Sequence, residues 1–107
     1  MAGEFMGLNV LWQDERGEII ERGPIWSSPW KYVEGEDDLR ETCCLRFVDP
    51  YSDTTFNQFQ IPVLIEELKT LLPKSNDAKA REELESLINF IRKADGEVHT
   101  YIKFLGD

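Results

Sequence analysis

The sequence predicts an α+β fold, in which an antiparallel sheet of about four strands carries a two-helix hairpin on one face. The predicted elements follow the order strand, strand, strand, helix, helix and strand. Runs of strands followed by helices are typical of α+β domains. A short polar connection at residues 74–77 predicts that the two helices lie side by side and antiparallel. With 107 residues, the chain is expected to form one domain.

The first two strands are predicted to form a β-hairpin. Leu8, Val10 and Trp12 occupy every second position, which is the period of a strand with one packed face. Gly17 ends the turn that follows, where a left-handed residue is needed. The returning strand is expected over residues 18–22, and its short, half-apolar pattern is typical of an edge strand.

A third strand is predicted over residues 43–48, where cysteine, leucine and phenylalanine occupy alternate positions. The next five residues predict a turn, because Pro50 fixes φ while Asp49 and Asp53 bind nearby backbone amides. Residues 54–56 are expected to pair briefly with the third strand. Residues 57–60 either belong to this connection or begin the first helix, and the pattern leaves both possibilities open.

Two amphipathic helices and a last strand complete the prediction. Pro62 suits the first turn of the first helix and Pro73 ends it, since the residue before a proline leaves helical geometry. The second helix runs to about Ala94, and Gly96 caps it in a left-handed conformation. The apolar stripes comprise Ile61, Leu64, Ile65, Leu68, Leu71 and Leu72 in the first helix and Ala80, Leu84, Leu87, Ile88, Ile91 and Ala94 in the second.

The last strand is predicted over residues 97–105, beside either the 43–48 strand or the first strand. One face of it is expected to comprise Val98, Thr100, Ile102 and Phe104, and the other Glu97, His99, Tyr101 and Lys103. The predicted core includes Leu45, Leu64, Leu68, Leu84, Ile88 and Ile102.

The residues that carry chemistry predict no catalytic site. Adjacent Cys43 and Cys44 predict two reduced thiols with one in the core, because a disulfide between neighbours is strained. No metal site is expected, since the single histidine, His99, is far from both cysteines in sequence. That histidine is expected to be solvated rather than to activate a cysteine. The phosphate-loop, dinucleotide, zinc-protease and hydrolase motifs are missing, so neither an enzyme nor a cofactor is predicted.

Charge distribution predicts the kind of partner. The net charge is −9; residues 1–53 contain 12 acids and 5 bases, and residues 54–107 contain 9 acids and 7 bases. This acidity disfavours nucleic acid and anionic membranes, and favours a basic partner. The alternative is that the charge only keeps the protein in solution. Residues 1–5 resemble a vector-derived leader ahead of a domain over 6–107, and without a signal peptide the expected location is cytoplasmic.

Residues 23–41 combine bulky aromatics with the acidic peak of the chain. The aromatic residues Trp26, Trp30 and Tyr32 are expected to fold back on the domain rather than to be displayed, because large exposed apolar patches are costly. The acids lack the ligand pattern of a calcium loop and are expected to form an exposed loop. With the 49–53 turn, this segment is the predicted partner-binding face. Its candidate residues are Trp30, Tyr32, Glu34, Glu36, Asp37, Asp38, Glu41, Asp49, Tyr51 and Asp53.

One block of sequence resembles a known kind of protein. The run LRFVDPYSDTTFNQFQIP at residues 45–62, continuing to Glu66, Glu67 and Leu68, resembles small bacterial immunity proteins of polymorphic or contact-dependent toxin systems. That resemblance implies an acidic cytoplasmic protein that binds and occludes a cognate toxin, such as a basic nuclease, with no catalytic residues. The alternatives are a non-toxin regulatory or structural interaction protein and a small-ligand-binding domain.

Overall fold

The computed structural model describes residues 7–27, 42–49, 51–75 and 77–106. The predicted α+β fold is confirmed: a four-stranded antiparallel sheet with order β2-β1-β4-β3 is accompanied by two helices. The strands are β1 (Leu8–Asp14), β2 (Ile19–Trp26), β3 (Thr54–Asn57) and β4 (Thr100–Leu105), and the helices are α1 (Ile61–Leu71) and α2 (Ala78–Arg92).

The predicted hairpin is confirmed, with a longer second strand. Asp14 ends β1, and its carboxylate Oδ1 accepts the backbone N–H groups of Arg16 and Glu18. Gly17 has φ +81°, the left-handed conformation that the turn requires. β2 continues past its predicted end through Gly23. A glycine fits there because the Phe90 ring of α2 lies where a Cβ would be. β2 is an edge strand, as predicted.

The prediction of a strand over residues 43–48 is wrong. Leu45–Phe47 forms a 3-10 turn, and the third strand of the sheet is β3, which begins at Thr54. The backbone N–H groups of residues 43–45 are bound by the Glu67 carboxylate of α1, so they are not available to a sheet. Cys44 and Leu45 are buried, whereas Phe47 is 62% exposed, which breaks the expected alternation.

Both helices begin and end close to their predicted limits. The segment 57–60, for which two possibilities were open, consists of the last residue of β3 and a turn over residues 58–60. The Asn57 Oδ1 accepts the N–H groups of Phe59 and Gln60. Helical geometry does not end at once before Pro73, since a 3-10 turn over Leu72–Lys74 follows α1. Asp77 caps α2 by accepting the N–H of Lys79 at 3.0 Å. Gly96, in the turn after α2, has φ +87°.

The last strand starts later than predicted. β4 begins at Thr100 because His99 has φ +53°, which interrupts an extended chain. Val98 therefore lies outside the sheet and is 68% exposed instead of packed, whereas Thr100, Ile102 and Phe104 are buried as predicted. β4 pairs with β1, which was one of the two expected neighbours, and with β3 on its other side.

The core lies between the helices and one face of the sheet. Phe104 is fully buried, and its ring centroid lies 6.2 Å from that of Trp26 and 5.9 Å from that of Phe56. Trp26 is folded back on the domain as predicted, but Ile25 is 52% exposed. Among the described residues, no helix is long and apolar enough to cross a membrane. All six predicted core residues are buried together: Leu45, Leu64, Leu68, Leu84, Ile88 and Ile102.

Replacing Leu68 by alanine is expected to lower the free energy of unfolding by about 2–5 kcal/mol, because the side chain is fully buried and its removal leaves a cavity. Urea denaturation measures the change. Val63→Ala is the matched control, since Val63 is on the same helix but 41% exposed, and a loss below about 1 kcal/mol is expected there. Equal losses in the two variants would contradict the packing of α1.

Candidate functional site

The structure describes three of the ten predicted partner-binding residues. Asp49, Tyr51 and Asp53 are exposed and lie in the turn before β3. The other seven are in the segment 28–41 and lie outside the described residues; they are Trp30, Tyr32, Glu34, Glu36, Asp37, Asp38 and Glu41.

The 49–53 turn is held by its own side chains, as the sequence predicts for Asp49. The Asp49 carboxylate accepts the backbone N–H of Tyr51 at 2.8 Å and the hydroxyl of Ser52 at 2.9 Å. Asp53 differs from the prediction, since its carboxylate pairs with the ammonium of Lys103 on β4 at 3.6 Å. Gly106, just after β4, lies directly against the backbone of Ser52, where a Cβ would clash. The turn is therefore fixed to the end of the sheet.

Two aromatic side chains project from this region. Phe47 is 62% exposed and Tyr51 is 60% exposed. The guanidinium of Arg46 lies 5.4 Å from the centroid of the Phe47 ring. Thr54 joins the 3-10 turn to β3, because its hydroxyl donates to the carbonyl of Phe47 at 3.2 Å. We call Arg46, Phe47, Asp49, Tyr51 and Asp53 the turn surface.

Phe47 is the residue that sequence reasoning missed. The alternating pattern assigned it to the packed face of a strand, together with Leu45. In the 3-10 turn the two side chains no longer share a face, so Leu45 is 3% exposed and Phe47 faces solvent. No local signal in the sequence distinguishes the two arrangements.

Glu67 positions the chain that leads to the turn surface. Its Oε1 accepts the N–H groups of Cys44 and Leu45, each at 3.0 Å, and its Oε2 accepts that of Cys43. A carboxylate is a strong acceptor for backbone N–H groups. Burial raises the pKa of the Cys44 thiol to about 11, and the negative charges of Glu67 and Cys43 contribute to the rise.

A carboxylate of α2 binds the chain just before residues 28–41, which we call the acidic segment. Glu83 of α2 accepts the backbone N–H and the hydroxyl of Ser27, both at 2.6 Å. Ser27 follows Trp26, which pairs with Leu8 at the end of the sheet where β4 finishes. The 49–53 turn contacts the same end through Gly106. The last described residue before the acidic segment and the turn surface are thus at one end of the sheet.

A groove lies at the opposite end of the sheet, where β1 finishes and β4 begins. It has a volume of about 390 Å³ and is lined by Trp12, Asp14, Glu15, Arg16, Ile20, Glu97, Val98, His99 and Thr100. The imidazole Nδ1 of His99 lies 3.2 Å from the Glu15 carboxylate, and its backbone N–H donates to the Gln58 side-chain oxygen at 2.7 Å. We call this feature the sheet-end groove.

The thiols and histidine form no recognisable catalytic arrangement. Cys43 is exposed and Cys44 is buried, and both are free, which confirms one thiol in the core. The contacts of the Cys44 thiol include the carbonyl of Gln60 at 3.8 Å, whereas the His99 imidazole contacts Glu15. In the part of the chain that the structure describes, no three His, Cys, Asp or Glu side chains are placed to hold a metal ion.

Comparison with known proteins gives no further information on the site. No protein-family model matches the chain, and no curated protein or solved structure matches it either.

Replacing Glu67 by alanine is expected to lower the free energy of unfolding by about 1–3 kcal/mol, because three backbone N–H groups lose their acceptor. Glu66→Ala is the matched control. The neighbouring Glu66 is exposed and pairs with Lys69 on the same helix, so its loss is expected to cost less than about 0.5 kcal/mol. Urea denaturation of both variants measures the difference, and equal small effects would contradict the anchoring role of Glu67.

Alkylation by iodoacetamide at pH 8 is expected to modify Cys43 at least about tenfold faster than Cys44, because a thiol with a pKa near 11 is almost entirely protonated at that pH. Peptide mass spectrometry over time measures both rates, and equal labelling of the two thiols would contradict the burial of Cys44.

The same raised pKa means that the free energy of unfolding decreases as the pH rises from 9 towards 11, since the unfolded chain releases this proton first. A Cys44→Ala variant should show a smaller decrease over the same pH range.

Proposed function

We propose that the chain is an immunity-type protein that binds and neutralises a basic cognate toxin. The observation that supports this most directly is the turn surface, where Phe47 and Tyr51 are exposed on a segment fixed by hydrogen bonds. A small protein with exposed aromatics on a fixed turn has the means to bind another protein tightly.

The aromatic pair has the properties of an interface anchor. Tyrosine and arginine are enriched among the residues that carry most of the binding energy, and aromatic residues are enriched at interface cores. Because hydrogen bonds of Asp49 and Thr54 already order this region, little conformational entropy is lost when a partner covers it. The contact of Arg46 with the Phe47 ring orders one further side chain of the turn surface.

Charge supports a basic partner. Asp49 and Asp53 flank Tyr51 in sequence, and residues 28–41 contain five acids and two bases. The described residue before that segment, Ser27, lies at the same end of the sheet as the turn surface. Acidic groups around an aromatic anchor accelerate the approach of a basic protein and disfavour acidic competitors.

The test uses the C-terminal domain of a toxin encoded directly upstream of this chain. If the proposal is right, co-expression protects cells from that domain, and the purified proteins form a complex in which the toxin is inactive. A complex whose contacts lie wholly on the outer faces of α1 and α2 would contradict the assigned surface. An upstream gene for a metabolic enzyme, with no binding to its product, would contradict the toxin assignment.

In this complex, Tyr51→Ala is expected to increase the dissociation rate by a factor that corresponds to about 2 kcal/mol. The reason is that the exposed ring would be buried by the toxin. Surface plasmon resonance measures the rate, and thermal unfolding checks that the variant is folded. Phe59→Ala is the matched control, because Phe59 is 78% exposed but lies in the turn beyond the other end of β3. Equal effects of the two substitutions would show that the turn surface is not the anchor.

Charge reversal of Glu36, Asp37 and Asp38 to lysine is expected to decrease the association rate and to flatten its dependence on salt concentration. The control reverses Glu82, Glu85 and Asp95, three exposed acids on and just after α2, which gives the same change in net charge. Stopped-flow association at several salt concentrations measures both variants. A larger decrease in the control, or binding with no salt dependence at all, would contradict steering by the acidic segment.

A further inference from the structure

We propose that the sheet-end groove binds an arginine side chain presented by a protein partner. The groove is distinct from the turn surface, because β1 finishes and β4 begins at one end of the sheet whereas the 49–53 turn contacts the other. The inference extends the proposed function by a second contact with a basic partner.

Part of the wall of the groove is apolar, and it comprises Trp12, Ile20 and Val98. Trp12 is partly buried and packs against the core, and its indole N–H donates to the buried hydroxyl of Thr100. Ile20 is 51% exposed and Val98 is 68% exposed, and both line the groove. Covering such exposed apolar side chains with a ligand is favourable, because it removes apolar surface from water.

The charged groups of the groove are mostly acidic. Asp14, Glu15 and Glu97 contribute three carboxylates, against the single guanidinium of Arg16. Within the described residues, the Glu97 carboxylate has no hydrogen-bonding or charged partner, whereas Glu15 lies against His99. Carboxylates therefore outnumber the basic side chains of the groove, and Glu97 can bind a cation without breaking an existing ion pair.

An arginine side chain matches both properties at once. Its aliphatic stem covers apolar walls while its head group stays polar, so Ile20 and Val98 provide a path for the stem. The planar guanidinium binds carboxylates through paired hydrogen bonds and stacks on indole rings. In this groove Glu97 is the carboxylate and Trp12 is the indole. The volume of about 390 Å³ is sufficient for one such side chain.

The test needs no toxin, so its failure is distinguishable from failure of the proposed function. The probe is the capped peptide acetyl-Gly-Arg-Gly-amide, titrated into the ¹⁵N-labelled chain and followed by NMR. The indole N–H signal of Trp12, assigned with a Trp12→Phe variant, is expected to shift in a saturable way. The matched peptide with glutamine in place of arginine is expected to leave it unchanged.

Variants of the groove identify the groups responsible. Glu97→Gln is expected to weaken binding of the arginine peptide at least about threefold, since it replaces a charged acceptor by a neutral group of similar size. Glu82→Gln, an exposed acid on α2 outside the groove, is expected to leave binding unchanged. A shift that does not saturate, a response to both peptides, or equal weakening by the two substitutions would overturn the inference.

Discussion

The carboxylate of Glu67 determines how the middle of the chain is arranged. It accepts three consecutive backbone N–H groups, those of residues 43–45, from its position on α1. Backbone donors that are bound in this way cannot pair with a neighbouring strand, so the chain forms a 3-10 turn. That turn buries the side chains of Cys44 and Leu45 and leaves the side chain of Phe47 exposed. The three hydrogen bonds to one carboxylate thus decide both which side chains are buried here and which are exposed.

The sheet then fixes the two candidate surfaces relative to each other. β4 pairs with β1 on one side and β3 on the other, and each of its ends belongs to a different surface. Thr100, at its start, lines the sheet-end groove, and Gly106, just after its end, lies against the 49–53 turn. β4 has six residues, and a strand of that length extends over roughly 20 Å. A partner that contacts both surfaces must therefore extend along the whole strand.

Sequence reasoning succeeded where the determining contacts are local. The apolar stripes of α1 and α2 depend on residues three and four apart, and the 49–53 turn depends on a carboxylate two residues from the backbone N–H that donates to it. It failed at 43–48, because the acceptor, Glu67, is more than twenty residues away. The start of β4 was also misplaced, since an alternating pattern gives no sign of the left-handed His99.

The same distinction separates the parts of the candidate site that could be predicted from those that could not. Turn-forming residues and local acidity in the sequence predict Asp49, Tyr51 and Asp53 as site residues. The exposure of Phe47 instead depends on the distant Glu67. The sheet-end groove is built from the hairpin turn and the chain before β4, and the bond between Trp12 and Thr100 spans 88 residues. Only the pairing of β1 with β4 brings these two segments together. The groove thus requires the pairing of two strands that are distant in sequence, whereas the ordering of the 49–53 turn begins within five residues.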